Sequence, residues 1–300
     1  MDAHTTMPLE LPDLSGRTAV VTGASSGLGT VTARELARAG ARVVLAVRDP
    51  ARGRAAAATI AGDTEVRALD LGDLASVRAF ADGWSGPLDL LVNNAGIMAV
   101  PQGRTVDGFE LHIGTNHLGH FALTGLLLPH LTDRVVTVSS GLARIGRLDP
   151  DDLDWRRRRY RPMRAYGTSK QANLLFTLEL QRRLAEAGSP VRALSAHPGV
   201  AVTALDRHMR GPQAVVTRFG YRFIAQRQPE FGALPTLAAA TGDLPGGSYL
   251  GPGGRNGEQP RAEKHTGRDS DADLARRLWQ RSEELTGVRF PFPVPPGRGA

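Results

Sequence analysis

The sequence contains no cysteine. Disulfides, thiolate nucleophiles and cysteine-based zinc or iron–sulfur sites are thereby excluded, and the composition fits a reducing, cytoplasmic setting. No stretch reaches the ~18 uninterrupted apolar residues that a transmembrane helix needs; the longest candidate, 118–128, carries His120. The opening MDAHTTMPLELPDLSG lacks the basic segment and apolar run of a secretory signal. The expectation is a soluble, cytoplasmic protein without a membrane span. No Lys-Ser/Thr pair closes a Walker A loop, and no G-x-S-x-G elbow marks a serine hydrolase. His112, His117, His120 and His197 are scattered, without carboxylates at ligand spacing. They read as structural, and no metal is expected.

What is present is ordinary apolar material, 41% of 300 residues, enough for a sizeable core. The net charge is +7, carried largely by arginines spread over helix faces, with one cluster at Arg156–Arg159. No nucleic-acid motif accompanies the charge, so a solvated basic surface is expected and a nucleic-acid partner is not. Asp151 and Asp152 fall in a polar loop and read as solvating it.

The first two-thirds alternates short β-branched runs (17–22, 42–47, 64–69, 88–92, 134–139 and 190–195) with helical patterns at 27–39, 50–61, 73–84, 105–131 and 163–187. Strands apolar on both faces, alternating with helices, indicate βαβ units and a parallel sheet. A helix at 231–241, a short strand near 248–250, a Gly/Pro-rich loop over 251–269 and a helix over 270–286 capped by Ser270 complete the reading. That helix is expected to bury Leu274, Leu278 and Leu285. Residues 1–16 read as an N-terminal extension, 17–290 as one domain and 291–300 as a Pro-rich, extended or disordered tail. The expected fold is a single doubly wound α/β (Rossmann) domain on a seven-stranded, mainly parallel sheet, in the order 3-2-1-4-5-6-7.

The segment TGASSGLG at 22–29 follows a strand and opens a helix. A helix N-terminus offers unpaired amides and partial positive charge, which a pyrophosphate satisfies. Gly23, Gly27 and Gly29 let the backbone turn and approach closely, and Ser25, Ser26 and Leu28 lie in the same turn. At the end of the second strand Arg48 is the first polar side chain, with Arg52 and Arg54 in the next turn. A guanidinium there suits a 2′-phosphate and favours NADP(H) over NAD(H). Asp49 is the competing residue: pointing inward it would reverse the preference, whereas Asp49-Pro50 also makes a good helix start. Asp70 and Leu71 end the third strand, where an Asp can accept from an adenine amino group or serve the helix that begins near Asp73. In NNAG, Asn93 and Asn94 can tie adjacent strands together, while Ala95 and Gly96 leave room for a cofactor.

Tyr166 and Lys170 lie four residues apart and therefore on one helix face. A free tyrosine ionises near pKa ~10, too high for efficient acid–base work at neutral pH. A neighbouring ammonium lowers that value. Ser139-Ser140 ends the fifth strand, where a parallel sheet opens its ligand crevice, and Asn116 lies in the helix after the fourth.

With TGASSGLG, NNAG, Asn116, Ser140, YGTSK (166–170) and HPGVAVT (197–203) in this order, the sequence resembles the short-chain dehydrogenase/reductase superfamily. NHLGHFALT (116–124), the loop from Asp149 to Arg164, GGSYLGP (246–252) and LARRLWQRSEELTGV (274–288) resemble its retinol dehydrogenase-like and WW-domain oxidoreductase-like group. The resemblance implies a catalytic tetrad of Asn116, Ser140, Tyr166 and Lys170. Tyr166 would transfer the substrate proton and Ser140, the second serine of the pair, would fix the carbonyl oxygen. Lys170 would hold the nicotinamide ribose and lower the tyrosine pKa, and Asn116 would support a water-linked proton relay. Pro198 and Gly199 would border the nicotinamide, Thr203 would contact its carboxamide, and Val200 between them would also belong to the cofactor site. It also implies a carbonyl or alcohol substrate bound between 142–164 and 200–230, and a homodimer or homotetramer. A nucleotide-binding regulator without turnover, and a redox-neutral lyase or epimerase on the same fold, are the alternatives.

Overall fold

The computed structural model describes residues 9–199, 229–254 and 257–292. Strands β1 (Thr18–Thr22), β2 (Arg42–Val47), β3 (Thr64–Ala68), β4 (Leu88–Asn93), β5 (Leu131–Val138), β6 (Arg192–Ala196) and β7 (Tyr249–Gly253) pair in parallel. An eighth strand, β8 (Gln259–Glu263), pairs antiparallel with β7, and the order is β3-β2-β1-β4-β5-β6-β7-β8. The expected seven strands thus become eight, and part of the expected 251–269 loop is a strand. QPRAE has no apolar alternation because it sits at an open edge, where Pro, Arg and Glu discourage pairing with another chain.

Alternate strand residues feed two cores. Val20, Val44, Ala46 and Leu91 face α3 (Leu74–Asp82), α5 (Gly119–Leu127) and α6 (Pro162–Glu186). Ala19, Val21, Val43, Leu45 and Val92 face α1 (Gly27–Arg38), α2 (Pro50–Ala57) and α7 (Pro229–Thr241). This is the doubly wound architecture that the strand pattern implied. The last helix, α8 (Ala272–Thr286), lies against α6 and inserts Trp279 among Phe121, Phe176 and Phe290.

Three local readings change. The helical stretch expected at 105–131 starts later and is broken. A single turn, α4 (Leu111–Ile113), leads into a π-helical turn, Gly114–Leu118, before α5 begins. The cap of α8 is Asp271, which accepts from the Leu274 amide at 2.9 Å, and Ser270 instead donates to the Gly267 carbonyl. Leu274 and Leu278 are buried as expected, whereas Leu285 is half-buried. The core also reaches past 17–290. Leu14 is 4% exposed, and Phe292 packs against the aromatic cluster. Residues 1–8 and 293–300 lie outside the described residues, as do Val200, Thr203 and 200–228 of the expected substrate cleft.

Candidate active site

The strand order reverses direction between β1 and β4, which opens a crevice at their carboxyl ends. Gly23–Ser26 leaves β1 at this place and Asn94–Gly96 leaves β4. Ser139 and Ser140 follow β5, and His197, Pro198 and Gly199 follow β6. Gly23 has φ +68, and a Cβ on it would lie 2.9 Å from Ala95. The turn therefore needs glycine both for its left-handed backbone and for its close approach to β4. Ser26 precedes α1 without a side-chain cap, so the first-turn amides of a twelve-residue helix keep no side-chain acceptor. Ser25 and Ser26 are half-buried beside Gly27 and Gly29, while Leu28 packs into the core. Asn94 holds this loop to the sheet: its side-chain amide donates to the Thr22 carbonyl at 2.8 Å and its backbone N–H to Thr22 Oγ1 at 2.9 Å. Asn93 instead reaches the α5 residue Thr124, at 2.9 Å.

At the end of β2, Asp49 accepts from the amides of Ala51 and Arg52 at 3.0 and 3.2 Å and caps α2. Arg48 is exposed and makes no ion pair among the described residues. Asp70 accepts from the Gly72 amide at 2.9 Å in a local turn, and Asp73 caps α3. Leu71 is buried, and its carbonyl closes against Gly119, where a Cβ would come within 2.3 Å.

Asn116 and Lys170 gather around Gly96. A Cβ there would lie 3.2 Å from Asn116 Oδ1 and 3.4 Å from Lys170 Nζ, so the missing side chain lets the chain after β4 pass close to both groups. Lys170 is fully buried on α6. Its ammonium donates to the Val138 carbonyl at 2.9 Å, and burial pulls its pKa down to about 8. It lies 6.0 Å from the centre of the Tyr166 ring, which is itself buried. Asn116 sits in the π-helical turn. It accepts from the Ile97 amide (2.8 Å) and donates to the Ile97 carbonyl (3.0 Å) and to Ser169 Oγ (2.9 Å), whose hydroxyl donates to the Tyr166 carbonyl (2.8 Å). The two serines diverge. Ser139 donates its proton to the Lys170 carbonyl at 2.8 Å, whereas Ser140 Oγ accepts from the Leu142 amide at 3.2 Å and keeps its hydroxyl proton for another acceptor.

With that geometry in view, the relatives are informative. A family model for short chain dehydrogenases matches residues 17–152. Human retinol dehydrogenase 13 is 42% identical over 93% of this chain and 87% of its own. The chain belongs to the short-chain dehydrogenase/reductase superfamily. Among solved structures, an uncharacterized protein from Mycobacterium paratuberculosis superposes with a TM-score of 0.82 at 56% identity, over 95% of this chain and 99% of that one. A short chain dehydrogenase from Burkholderia cenocepacia in complex with NADP superposes with a TM-score of 0.62 at 27% identity, over 80% and 97%. The chain is therefore an oxidoreductase of the kind that acts on an alcohol or carbonyl carbon, retinol dehydrogenase-like, in a family that binds NAD(P)H. No helix among the described residues is long and apolar enough to cross a membrane.

Other features of this dehydrogenase were not legible as functional. Gly167, between Tyr166 and Lys170, lets the turn Gly141–Ile145 touch α6, since a Cβ there would meet the Leu142 carbonyl at 2.6 Å. Buried Glu110 accepts from His112 Nδ1 at 2.8 Å, and Tyr160 Oη lies 3.0 Å from the same carboxylate oxygen. Burial works against the Glu110 charge, but the His112 hydrogen bond and charge and the amides of His112 and Ile113 outweigh it and hold the carboxyl below its ordinary value. This cluster ties the Arg-rich loop to the segment that leads to Asn116. The four histidines read as structural have four separate settings: His112 here, His117 on Ser282 (2.9 Å), His120 on Thr22 (2.9 Å) and His197 on Glu263 (3.2 Å).

Proposed function

We propose that this protein is an NADP(H)-dependent oxidoreductase that reduces a ketone or aldehyde, or oxidises the corresponding alcohol, with Tyr166 as general acid and base. The observation that carries the reading is the convergence of Asn116 Oδ1 and buried Lys170 Nζ on the space above Gly96, on the face of α6 that also presents Tyr166.

The site fits a dinucleotide. The uncapped α1 terminus and the glycine turn accept a pyrophosphate, with Gly23, Ser25, Ser26, Gly27 and Gly29 around it. Asp70 and Leu71 would flank the adenine, Asn94, Ala95 and Gly96 the nicotinamide ribose, and Pro198 and Gly199 the nicotinamide. The preference for NADP(H) rests on division of labour at β2: Asp49 is engaged as a helix cap, which leaves Arg48 for a 2′-phosphate. When bound, the nicotinamide supplies or takes the hydride. Ser140 would donate its remaining proton in a hydrogen bond to the substrate oxygen and hold it beside Tyr166. The Tyr166 hydroxyl would give that oxygen its proton in reduction and take it back in oxidation. Lys170, positively charged and desolvated, would favour the phenolate. Asn116, held by Ile97 and Ser169, keeps the lysine end of the site in register. Segments 142–164 and 200–230 would supply the substrate cleft.

The test is a titration of NADPH against NADH, followed by a carbonyl panel, with Tyr166→Phe as control. NADPH should bind more tightly, and Tyr166→Phe should lose on the order of 10²–10⁴ in kcat while still binding NADPH. Arg48→Ala should weaken NADPH by about 10-fold or more and leave NADH nearly unchanged, as expected for losing a charged hydrogen bond. Equal loss for the two nucleotides, or full turnover by Tyr166→Phe, would refute the respective assignment.

A further inference from the structure

His120 is fully buried near the start of α5, directly after the π-helical turn in which the Gly119 amide reaches back to the Gly114 carbonyl. Both ring nitrogens are engaged, Nδ1 with the Asn116 carbonyl at 3.0 Å and Nε2 with Thr22 Oγ1 at 2.9 Å. These contacts fix the tautomer. A carbonyl oxygen can only accept, so Nδ1 must carry the proton and Nε2 must be the acceptor. The Thr22 hydroxyl therefore donates to Nε2 rather than to the Val92 carbonyl, which lies farther off at 3.4 Å, while its oxygen receives the amides of Asn94 and Ala95, each at 2.9 Å. Burial pulls the imidazole pKa down to about 3; the Asn116 hydrogen bond opposes this and the charge of Lys170 adds to it, so the folded protein favours the neutral ring.

Thr22 is the last residue of β1 and passes directly into the Gly23 turn, while Asn116 faces Gly96 and Lys170. We propose that His120 is a positioning residue that locks the cofactor-binding turn after β1 to the backbone of Asn116, so that the phosphate end and the proton-handling end of the site are held in one register. The proposal rests on the functional reading of Asn116, Lys170 and the glycine turn given above. Its chemistry is separable into two arms, because each nitrogen serves a different part of the site.

Two substitutions divide them. His120→Asn places an amide nitrogen near the Nδ1 position and retains the donor to Asn116 but not the acceptor for Thr22. His120→Gln places an amide oxygen near the Nε2 position and retains the acceptor for Thr22 but not the donor to Asn116. His120→Asn should weaken NADPH by about 5-fold, the usual scale of one lost hydrogen bond, with kcat largely kept. His120→Gln should keep the NADPH affinity and lower kcat by about 10-fold, since a misplaced site group costs rate rather than binding. His120→Ala should show both losses. The nitrogen-15 spectrum of histidine-labelled wild-type protein should contain, besides the Nδ1–H ring of His112, a neutral Nδ1–H imidazole that is unchanged between pH 5 and pH 9 and missing in all three variants. An Nε2–H form for that residue would overturn the proposal, as would equal losses in the Asn and Gln variants that track only their melting temperatures. Failure of the wild type to bind NADPH, or full turnover by Tyr166→Phe, would instead sink the functional reading. Normal wild-type behaviour without the Asn/Gln split sinks this inference alone.

Discussion

Lys170 and Lys264 are the two lysines of the sequence; every other fixed cation is an arginine. A chain so committed to arginine keeps a lysine at the buried position because a guanidinium cannot be tuned towards neutrality, whereas a desolvated ammonium can. The tuning has a cost to folding. In the unfolded chain the ammonium titrates near 10.5, and in the folded protein near 8. Between those values the unfolded state binds more protons, so stability grows as pH rises through this window, and the full penalty is present below about pH 8. The difference corresponds to about 3 kcal/mol as an upper scale. Lys170→Met should be more stable than wild type at pH 7 and should lose the rise in urea midpoint between pH 8 and pH 10; an unchanged rise would assign it to other groups. Activity should move oppositely. Reduction and alcohol oxidation by the wild type should both decline above about pH 8, as Lys170 loses the charge that favours the Tyr166 phenolate. At this scale the residues that meet at the crevice, in TGASSGLG, NNAG, Tyr166 and Lys170, were legible as motifs, whereas the roles proposed for them came from the family resemblance and not from spacing alone. His120 was not, because a neutral histidine between a hydroxyl and a carbonyl has no signature until both partners are placed.

Among the secondary elements, the site depends on how closely α6 can approach the turn after β5. Gly167 makes that contact. A Cβ on it would meet the Leu142 carbonyl at 2.6 Å and Ile145 Cγ1 at 2.9 Å. Gly167→Ala should therefore push the turn that carries Ser140 outward, cost about 1–3 kcal/mol as overpacking does, and depress kcat more than NADPH affinity. A melting curve with steady-state kinetics would check it; a stable, fully active variant would show that Ser140 tolerates the shift. The elements that sequence reasoning placed well are the ones whose apolar runs face helices on both sides, such as β2, found at 42–47 as expected. The two it misread lack that signal. The π-helical turn at Gly114–Leu118 adds one residue to a helix without changing its apolar character. The β8 strand is held by backbone pairing to β7 and buries almost nothing of its own.

In the whole molecule, one aromatic cluster joins distant parts of the chain. Phe121 from α5, Phe176 from α6, Trp279 from α8 and Phe290 beyond it meet with ring centres 4.4–6.3 Å apart. Trp279 is 1% exposed. Trp279→Ala should cost about 3–5 kcal/mol, read as a lower urea midpoint, with a smaller effect on NADPH affinity because none of these rings is among the groups that close on Gly96. An unchanged midpoint would mean that α8 is an appendage rather than part of the core.

That cluster also sets an order of events during synthesis. The glycine turn, Asn116, Ser140, Tyr166, Lys170 and the first six strands are all made before Trp279 and Phe290, which cover Phe121 of α5 and Phe176 of α6. A nascent chain can thus build its nucleotide-binding half early, yet the aromatic faces of two central helices stay bare until Phe290 has left the ribosome. Any chain that terminates before α8 would carry this surface exposed, and would present itself to chaperones and proteases as unfinished.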